Sequence, residues 1–268
     1  MGSMANSTAK VMPVTQLKPI VLLQAATGLG NMGNTCFLNS VLQCLAYVPP
    51  LADACLRKQL HGINEQCPGL GKCCCCLTEA QLRNQLHASS TVYPRDIVGN
   101  LHLFSKMFQR GRQEDSHEFL LAVLDAVERD AKRLLARAGC AKGARTLIEE
   151  LFCGRLRSQV RCQECGHCSN TYEQVTSLSL DILRAASLHD SLAQFTAVEV
   201  LDGANKYKCD RCARLVRAHK AVALHHEPNV LVVHLKRFDP LSTYGKVGRH
   251  VAFEHSLRLG EYCSDPEG

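Results

Sequence analysis

No stretch of the 268-residue chain approaches the roughly eighteen apolar residues of a membrane-spanning helix, so a bilayer-embedded protein is not the expectation. A secretory signal is missing from the N-terminus, which argues against an oxidising compartment. The formal charge of +6 is spread along the chain rather than gathered in one run, so solvated surface explains it better than nucleic-acid binding does. Tryptophan is absent, and that constrains little. Charged residues make up only 21% against 46% hydrophobic, which excludes a disordered chain and leaves a globular one of one large or two small domains. Residues 1–26 read as a flexible lead-in, with Met1-Gly2-Ser3-Met4 resembling a cloning scar.

Cysteine, by contrast, is abundant. The 16 cysteines fall largely into clusters far apart in sequence, and in a reducing compartment that grouping favours structural zinc over disulfides. A soluble, intracellular protein is expected.

One cysteine stands apart. In Gly28-Leu29-Gly30-Asn31-Met32-Gly33-Asn34-Thr35-Cys36, three glycines allow close backbone approach, and Asn34 and Thr35 are suited to cap a helix. Leu38, Val41, Leu42 and Leu45 then recur at helical spacing, which predicts a helix from Cys36 to Tyr47 ending at Pro49-Pro50. A thiol in the first helical turn faces unpaired N–H groups and the positive end of the helix dipole, which favour a nucleophilic thiolate. The same N–H groups offer an oxyanion site. Cys36 is therefore read as a nucleophile.

Taken as a whole, GLGNMGNTCFLNSVLQCL resembles the cysteine box of the ubiquitin-specific proteases, papain-like cysteine hydrolases that cleave bonds to the C-terminal glycine of ubiquitin. The resemblance implies that Cys36 is the nucleophile and that Asn31 helps hold the oxyanion. It also implies an α+β papain-like fold. A helical thumb would span residues 27–150, followed over 151–268 by zinc-binding fingers at about 160–222 and a palm.

Downstream residues add to both readings. His61, Cys67, Cys73 and Cys76 supply one nitrogen and three sulfurs, a sound tetrahedral zinc set, although Cys55, Cys74 and Cys75 compete as ligands. Some members of the family carry a similar cluster. Ile97, Leu101, Phe104 and Phe108 predict a short helix, and Phe119, Leu120, Val123, Leu124 and Val127 the buried stripe of a longer one. Asp115 with Glu118 three residues on makes a capping-box-like start to it. The string QEDSHEFL resembles a second box of the family, which implies that Gln113 and Asp115 hold the ubiquitin tail.

The stretch Leu147 to Val160 reads as strand-like. It leads to Cys162-x2-Cys165 and, far downstream, Cys209-x2-Cys212, and two such knuckles together complete a four-thiolate zinc site. Strands are predicted over Thr176–Leu183, Asn229–Phe238 and Val251–Leu259, and a short helix over Ser187–Phe195. His234 reads as a sheet histidine inside a run that resembles the family's LKRF strand. A cysteine hydrolase also needs a base. No Gly-His-Tyr-type box follows Phe238, and His250 and His255 come too early for one. The palm is accordingly expected to be incomplete at the C-terminus, with no catalytic histidine assigned. The expected function is a zinc-containing deubiquitinase whose partners are ubiquitin and ubiquitinated proteins, with no nucleic acid and no membrane. The alternative is a ubiquitin binder without turnover.

Overall fold

The computed structural model describes residues 27–61, 67, 69, 72–141, 143–238 and 245–264; the lead-in expected over 1–26 lies outside them. Two compact units divide between Leu151 and Phe152. No helix among the described residues is long and apolar enough to cross a membrane.

The first unit is helical, with α1 (Cys36–Ala46), α2 (Pro49–Leu56), α3 (Cys74–His87), α4 (Arg95–Gly99), α5 (Leu101–Phe104), α6 (Ser116–Arg137) and most of α7 (Leu147–Phe152). At the centre α6 buries Phe119, Val123, Val127 and Leu134, and α1, α3 and α5 pack against it. Phe37 of α1 meets Phe119 edge-on with ring centroids 5.3 Å apart, and Phe108 closes on the same ring at 5.5 Å. Those aromatic contacts fix the first turn of α1 against α6.

The helix expected from Cys36 to the Pro49-Pro50 stop is present, whereas two other expectations need correction. Pro49 and Pro50 end α1 but also open α2, because the first helical turn has no use for the N–H that proline lacks. The single helix expected over Ile97–Phe108 is two, broken at Asn100, whose side chain bonds the carbonyl of Asp96 at 2.9 Å and so competes with the helical ladder. Leu147–Phe152, expected as strand, is α7. Thr146 and Glu149 cap it reciprocally, Oγ1 accepting the Glu149 N–H at 3.1 Å and the carboxylate accepting the Thr146 N–H at 3.0 Å.

The second unit continues with β1 (Gly154–Cys162), β2 (Cys168–Val175), β3 (Leu178–Leu180), α8 (Leu188–Thr196), β4 (Glu199–Leu201), β5 (Tyr207–Cys209), β6 (Arg214–Val216), β7 (Ala218–His226) and β8 (Val233–Leu235). An antiparallel sheet runs β2-β1-β7-β4, while β3 and β8 pair in parallel and β5 and β6 form a hairpin. A capping box between Ser187 and Asp190 starts α8, which packs with Leu178, Leu180, Leu192 and Tyr262 in a small core.

The long strand expected over Asn229–Phe238 shortens to β8. Its partner β3 offers only three rungs, Leu178 to Val233 through Leu180 to Leu235, and beyond them the described part of the run makes one isolated bridge, Phe238 to Lys246. In that register His234 sits beside Ser179, its Nδ1 3.1 Å from the hydroxyl. The strand expected over Val251–Leu259 reduces to one bridge between Ala252 and Ser187.

Candidate active site and metal centres

Cys36 is exposed at the first residue of α1. The expectation that Asn34 or Thr35 caps this helix through its side chain fails, and the reason is chemical. Thr35 occupies the N-cap, but its hydroxyl turns back into the loop, accepting the Met32 N–H at 2.9 Å and lying 3.1 Å from Asn31 Oδ1. The first intrahelical bond is Asn39 N–H to the Thr35 carbonyl. Helix geometry therefore leaves the amides of Cys36, Phe37 and Leu38 without intrahelical acceptors.

Asn31 is the centre of the loop. Its Oδ1 accepts the backbone N–H groups of Gly33 and Thr35, each at 3.1 Å. Only the oxygen can meet those donors, so the amide nitrogen is turned the other way and its two N–H groups remain to donate. Asn34 takes a left-handed conformation with φ 54° and bonds the Gly111 carbonyl at 2.8 Å, tying the cysteine loop to the segment before α6. From the helix side Asn39 bonds the Gly30 carbonyl at 3.1 Å. Gly30 is required by close approach: a Cβ there would fall 2.3 Å from the Tyr93 ring. The Gly30 N–H also bonds the Val92 carbonyl at 2.9 Å.

Asp115 sits at the N-cap of α6, where its Oδ1 accepts the N–H groups of His117 at 2.7 Å and Glu118 at 3.0 Å. Gln113 is exposed two residues earlier. Asp115 is thus a cap by geometry, and both bonds fall on one oxygen.

Two groups of side chains have the make-up of metal sites, and within each group the ligand atoms lie within 4.8 Å of one another. In the first, β1 and β5 end in matching knuckles. Cys162 Sγ accepts the Cys165 N–H and Cys209 Sγ accepts the Cys212 N–H, both at 3.5 Å. Gly166 and Ala213 then reverse the chain at φ 69° and 54°. Zn–S bonds of about 2.3 Å at a tetrahedral centre separate sulfurs by about 3.8 Å. Here Cys165 to Cys209 is 3.7 Å and Cys162 to Cys212 is 3.9 Å. The N–H of Cys165 lowers the Cys162 thiol to about 7, while the Cys165 thiol beside Cys212 raises that one to about 12. Four thiols so close cannot all ionise without a cation among them. Apart from Val216 and Tyr207, the core of this tip consists of the four cysteines themselves, so the donor set fits zinc and the tip has little else to hold it.

The second group joins His61 to the start of α3. His61 Nε2 lies 3.5 Å from Cys73 Sγ and 3.3 Å from Cys76 Sγ, near the roughly 3.5 Å that nitrogen and sulfur ligands of tetrahedral zinc keep. Cys67 Sγ is 3.2 Å from Cys76 Sγ. The thiol of Cys75 holds Cys73 down to about 3, against the opposing effect of burial, whereas burial pushes Cys67 and Cys76 up. Cys74 and Cys75 are not spare surface thiols. They are buried and donate to the carbonyls of Leu103 and Val127 at 3.5 and 3.1 Å. Cys55 is buried in α2.

Sequence reasoning missed several supports. Asn39, Tyr93, Glu79 and Asp130 carry no motif of their own, and only their placement shows them. Thr146-x2-Glu149 was missed as well, although its capping-box spacing is a signal that could have revealed α7.

A thiol in the first turn of a helix whose opening amides lack intrahelical acceptors, after a loop held by the Asn31 side-chain oxygen, has the make-up of a cysteine-nucleophile site, on an α+β chain with two groups of potential metal ligands. The family model described as ubiquitin carboxyl-terminal hydrolase matches residues 27–268, and the chain belongs to that family. Ubiquitin carboxyl-terminal hydrolase 23 of Arabidopsis thaliana is 40% identical over 92% of this chain and 29% of its own. Ubiquitin carboxyl-terminal hydrolase 42 of Homo sapiens is 35% identical over 91% of this chain and 18% of its own. The chain thus spans less than a third of either relative. Among solved structures, the SAGA DUB module of Ubp8, Sgf11, Sus1 and Sgf73 bound to monoubiquitin matches with a TM-score of 0.77 and 28% identity, covering 90% of this chain and 55% of that one.

Proposed function

We propose that this chain carries the catalytic thiol of an intracellular deubiquitinase, acting on isopeptide or peptide bonds at the C-terminal glycine of ubiquitin. The observation that carries the reading is the loop before Cys36, in which Asn31 Oδ1 accepts the Gly33 and Thr35 N–H groups, in a chain of this family. The Cys36 sulfur attacks the glycine carbonyl carbon, and the carbonyl π electrons move to oxygen. That oxyanion is met by an Asn31 Nδ2 donor and by the free amides at the start of α1. Collapse breaks the C–N bond, the amine leaves with a proton, and a thioester remains. Water then attacks the thioester, releasing ubiquitin with a free carboxylate and restoring the thiol.

Gln113 and Asp115 line the approach of the ubiquitin tail, whose arginines suit acidic partners. Residues 27–150 are read as the thumb, the stretch at about 160–222 as the fingers, and the rest of 151–268 as palm. Cys162, Cys165, Cys209 and Cys212 hold one structural zinc, and His61, Cys67, Cys73 and Cys76 a second. Zinc there supplies cross-linking, and no step of the reaction runs through it.

A ubiquitin bearing a C-terminal propargylamide tests the nucleophile. Mass spectrometry is expected to find one ubiquitin on Cys36 and none after Cys36→Ala. Absence of the adduct on a folded chain that binds ubiquitin leaves the non-catalytic binder as the reading.

A further inference from the structure

The ligands of the second metal group come from two pieces of chain, and a buried carboxylate stands behind each. Cys73 is the N-cap of α3 yet makes no side-chain cap, so the first amides of that helix need an acceptor from elsewhere. Asp130 of α6 supplies it, its Oδ2 accepting the Cys74 N–H at 2.8 Å across 56 residues of sequence. Asp130 is only 8% exposed, and its other oxygen lies 3.5 Å from Arg129 and 3.3 Å from Arg133. Arg129 also bonds the Leu103 carbonyl at 3.1 Å, the acceptor that Cys74 uses. On the other side Glu79, 7% exposed, accepts the Leu60 N–H at 3.1 Å, one residue before His61, and pairs with Arg83 at 3.4 Å.

A carboxylate taken out of water is costly unless it is both paired and hydrogen-bonded. Each of these is, and each spends a bond on the backbone next to a ligand. We propose that Asp130 and Glu79 are the positioning residues of the His61–Cys67–Cys73–Cys76 centre, fixing the Cys73–Cys76 turn and the His61 segment in the ligating arrangement before the ion arrives. The proposal rests on the metal reading of that group. It also gives the centre a purpose: α3, once fixed, bonds α1 through Gln85 and Gln43 at 3.1 Å and holds the start of the cysteine loop through the Thr27 N–H to the Gln85 carbonyl at 3.1 Å.

Metal content and chelator competition on the whole protein test it, with cobalt(II) as a spectroscopic probe. Wild-type protein is expected to hold two ions, one with the weaker thiolate charge-transfer band of a three-sulfur set. Asp130→Ala and Glu79→Ala should each weaken that ion alone by about 10- to 100-fold, leaving the four-sulfur ion as an internal control. Asp130→Asn and Glu79→Gln keep an acceptor oxygen and the fold, and should stay within about threefold of wild type if the acceptor geometry is what matters. Two ions held with wild-type affinity in both alanine variants would overturn the positioning role while sparing the metal site. Equal losses in the alanine and amide variants would overturn it too. A single ion in the wild-type protein would remove the metal reading itself, and the proposal with it.

Discussion

The side-chain oxygen of Asn31 accepts the backbone N–H of Thr35 at 3.1 Å, one residue before the thiol of Cys36. Its oxygen shapes the loop, and its nitrogen is the donor proposed above for the oxyanion, so the two roles are separable. Asn31→Asp separates them, since a carboxylate still accepts from Gly33 and Thr35 but has no N–H to give. Its melting temperature should match wild type, while kcat falls by about 10²- to 10³-fold with KM little changed, as for loss of one oxyanion donor. Asn31→Ala should lose stability as well as rate. A rate for Asn31→Asp within a few-fold of wild type would leave Asn31 as a loop support only.

Gly30 and Tyr93 form a second such pair, the ring lying where a Cβ would be. Tyr93 is half-exposed and can swing aside, so Gly30→Ala should displace the ring rather than unfold the chain. The expected cost is about 1–3 kcal/mol, as for other overpacked sites. In Tyr93→Ala the same substitution should cost little, giving a coupling energy of about 1 kcal/mol or more in urea unfolding. Additive effects would show that the two do not share the space.

These two relationships mark the limit of what the sequence shows. The helix that begins at Cys36 and the α6 stripe were legible because each is local: periodicity and turn residues lie within a dozen positions of one another. The four-thiolate tip was legible too, since spacing alone fixes two knuckles. What the sequence hid depends on partners far away. The run around Val230–Phe238 has the composition of a long strand, yet β8 is as short as the strand beside it. β7, the inner strand between β1 and β4, went unread because Ala218-His219-Lys220-Ala221 alternates weakly and draws its stability from two neighbours. Asp130 reads as one more helix-surface charge until α3 is placed against it.

The paired knuckles predict a local dependence on metal. With Val216 and Tyr207 as the main apolar packing at the tip, a chelator strong enough to remove zinc, or Cys209→Ser, should release amide protection in β5 and β6. Protection in α1 and α6 should persist, since their buried aromatic contacts do not involve the tip. Hydrogen exchange read by mass spectrometry checks this, and unchanged exchange at Tyr207–Val216 in metal-free protein would show that the hairpin stands without an ion.

The Thr146–Glu149 cap predicts a dependence on pH. Burial of Glu149 opposes its ionisation, but the Lys132 ammonium at 2.8 Å and the Thr146 N–H outweigh it and hold the carboxyl below its usual range. Lys132, bonded to Glu128 and Glu149, is raised in turn. A carboxyl lowered in the folded state adds stability above its unfolded value near about 4.3, and that stability is lost as pH falls through the lower folded value. The raised ammonium contributes fully below its unfolded value near about 10.4 and loses that contribution as pH rises through the folded one. Half of the Lys132 side chain is exposed, so the ion pair itself adds little and the cap supplies most of the effect. Glu149→Gln keeps an acceptor oxygen for the Thr146 N–H and loses only the charge, so it should cost no more than about 1 kcal/mol at neutral pH, the range of a charge-strengthened cap bond and a partly exposed pair. Urea titrations of both proteins should show the gap closing as pH falls below the unfolded value near about 4.3 and through the lower folded one, where the wild-type carboxyl also becomes neutral. A gap that stays constant across that range would mean that Glu149 holds α7 by shape alone.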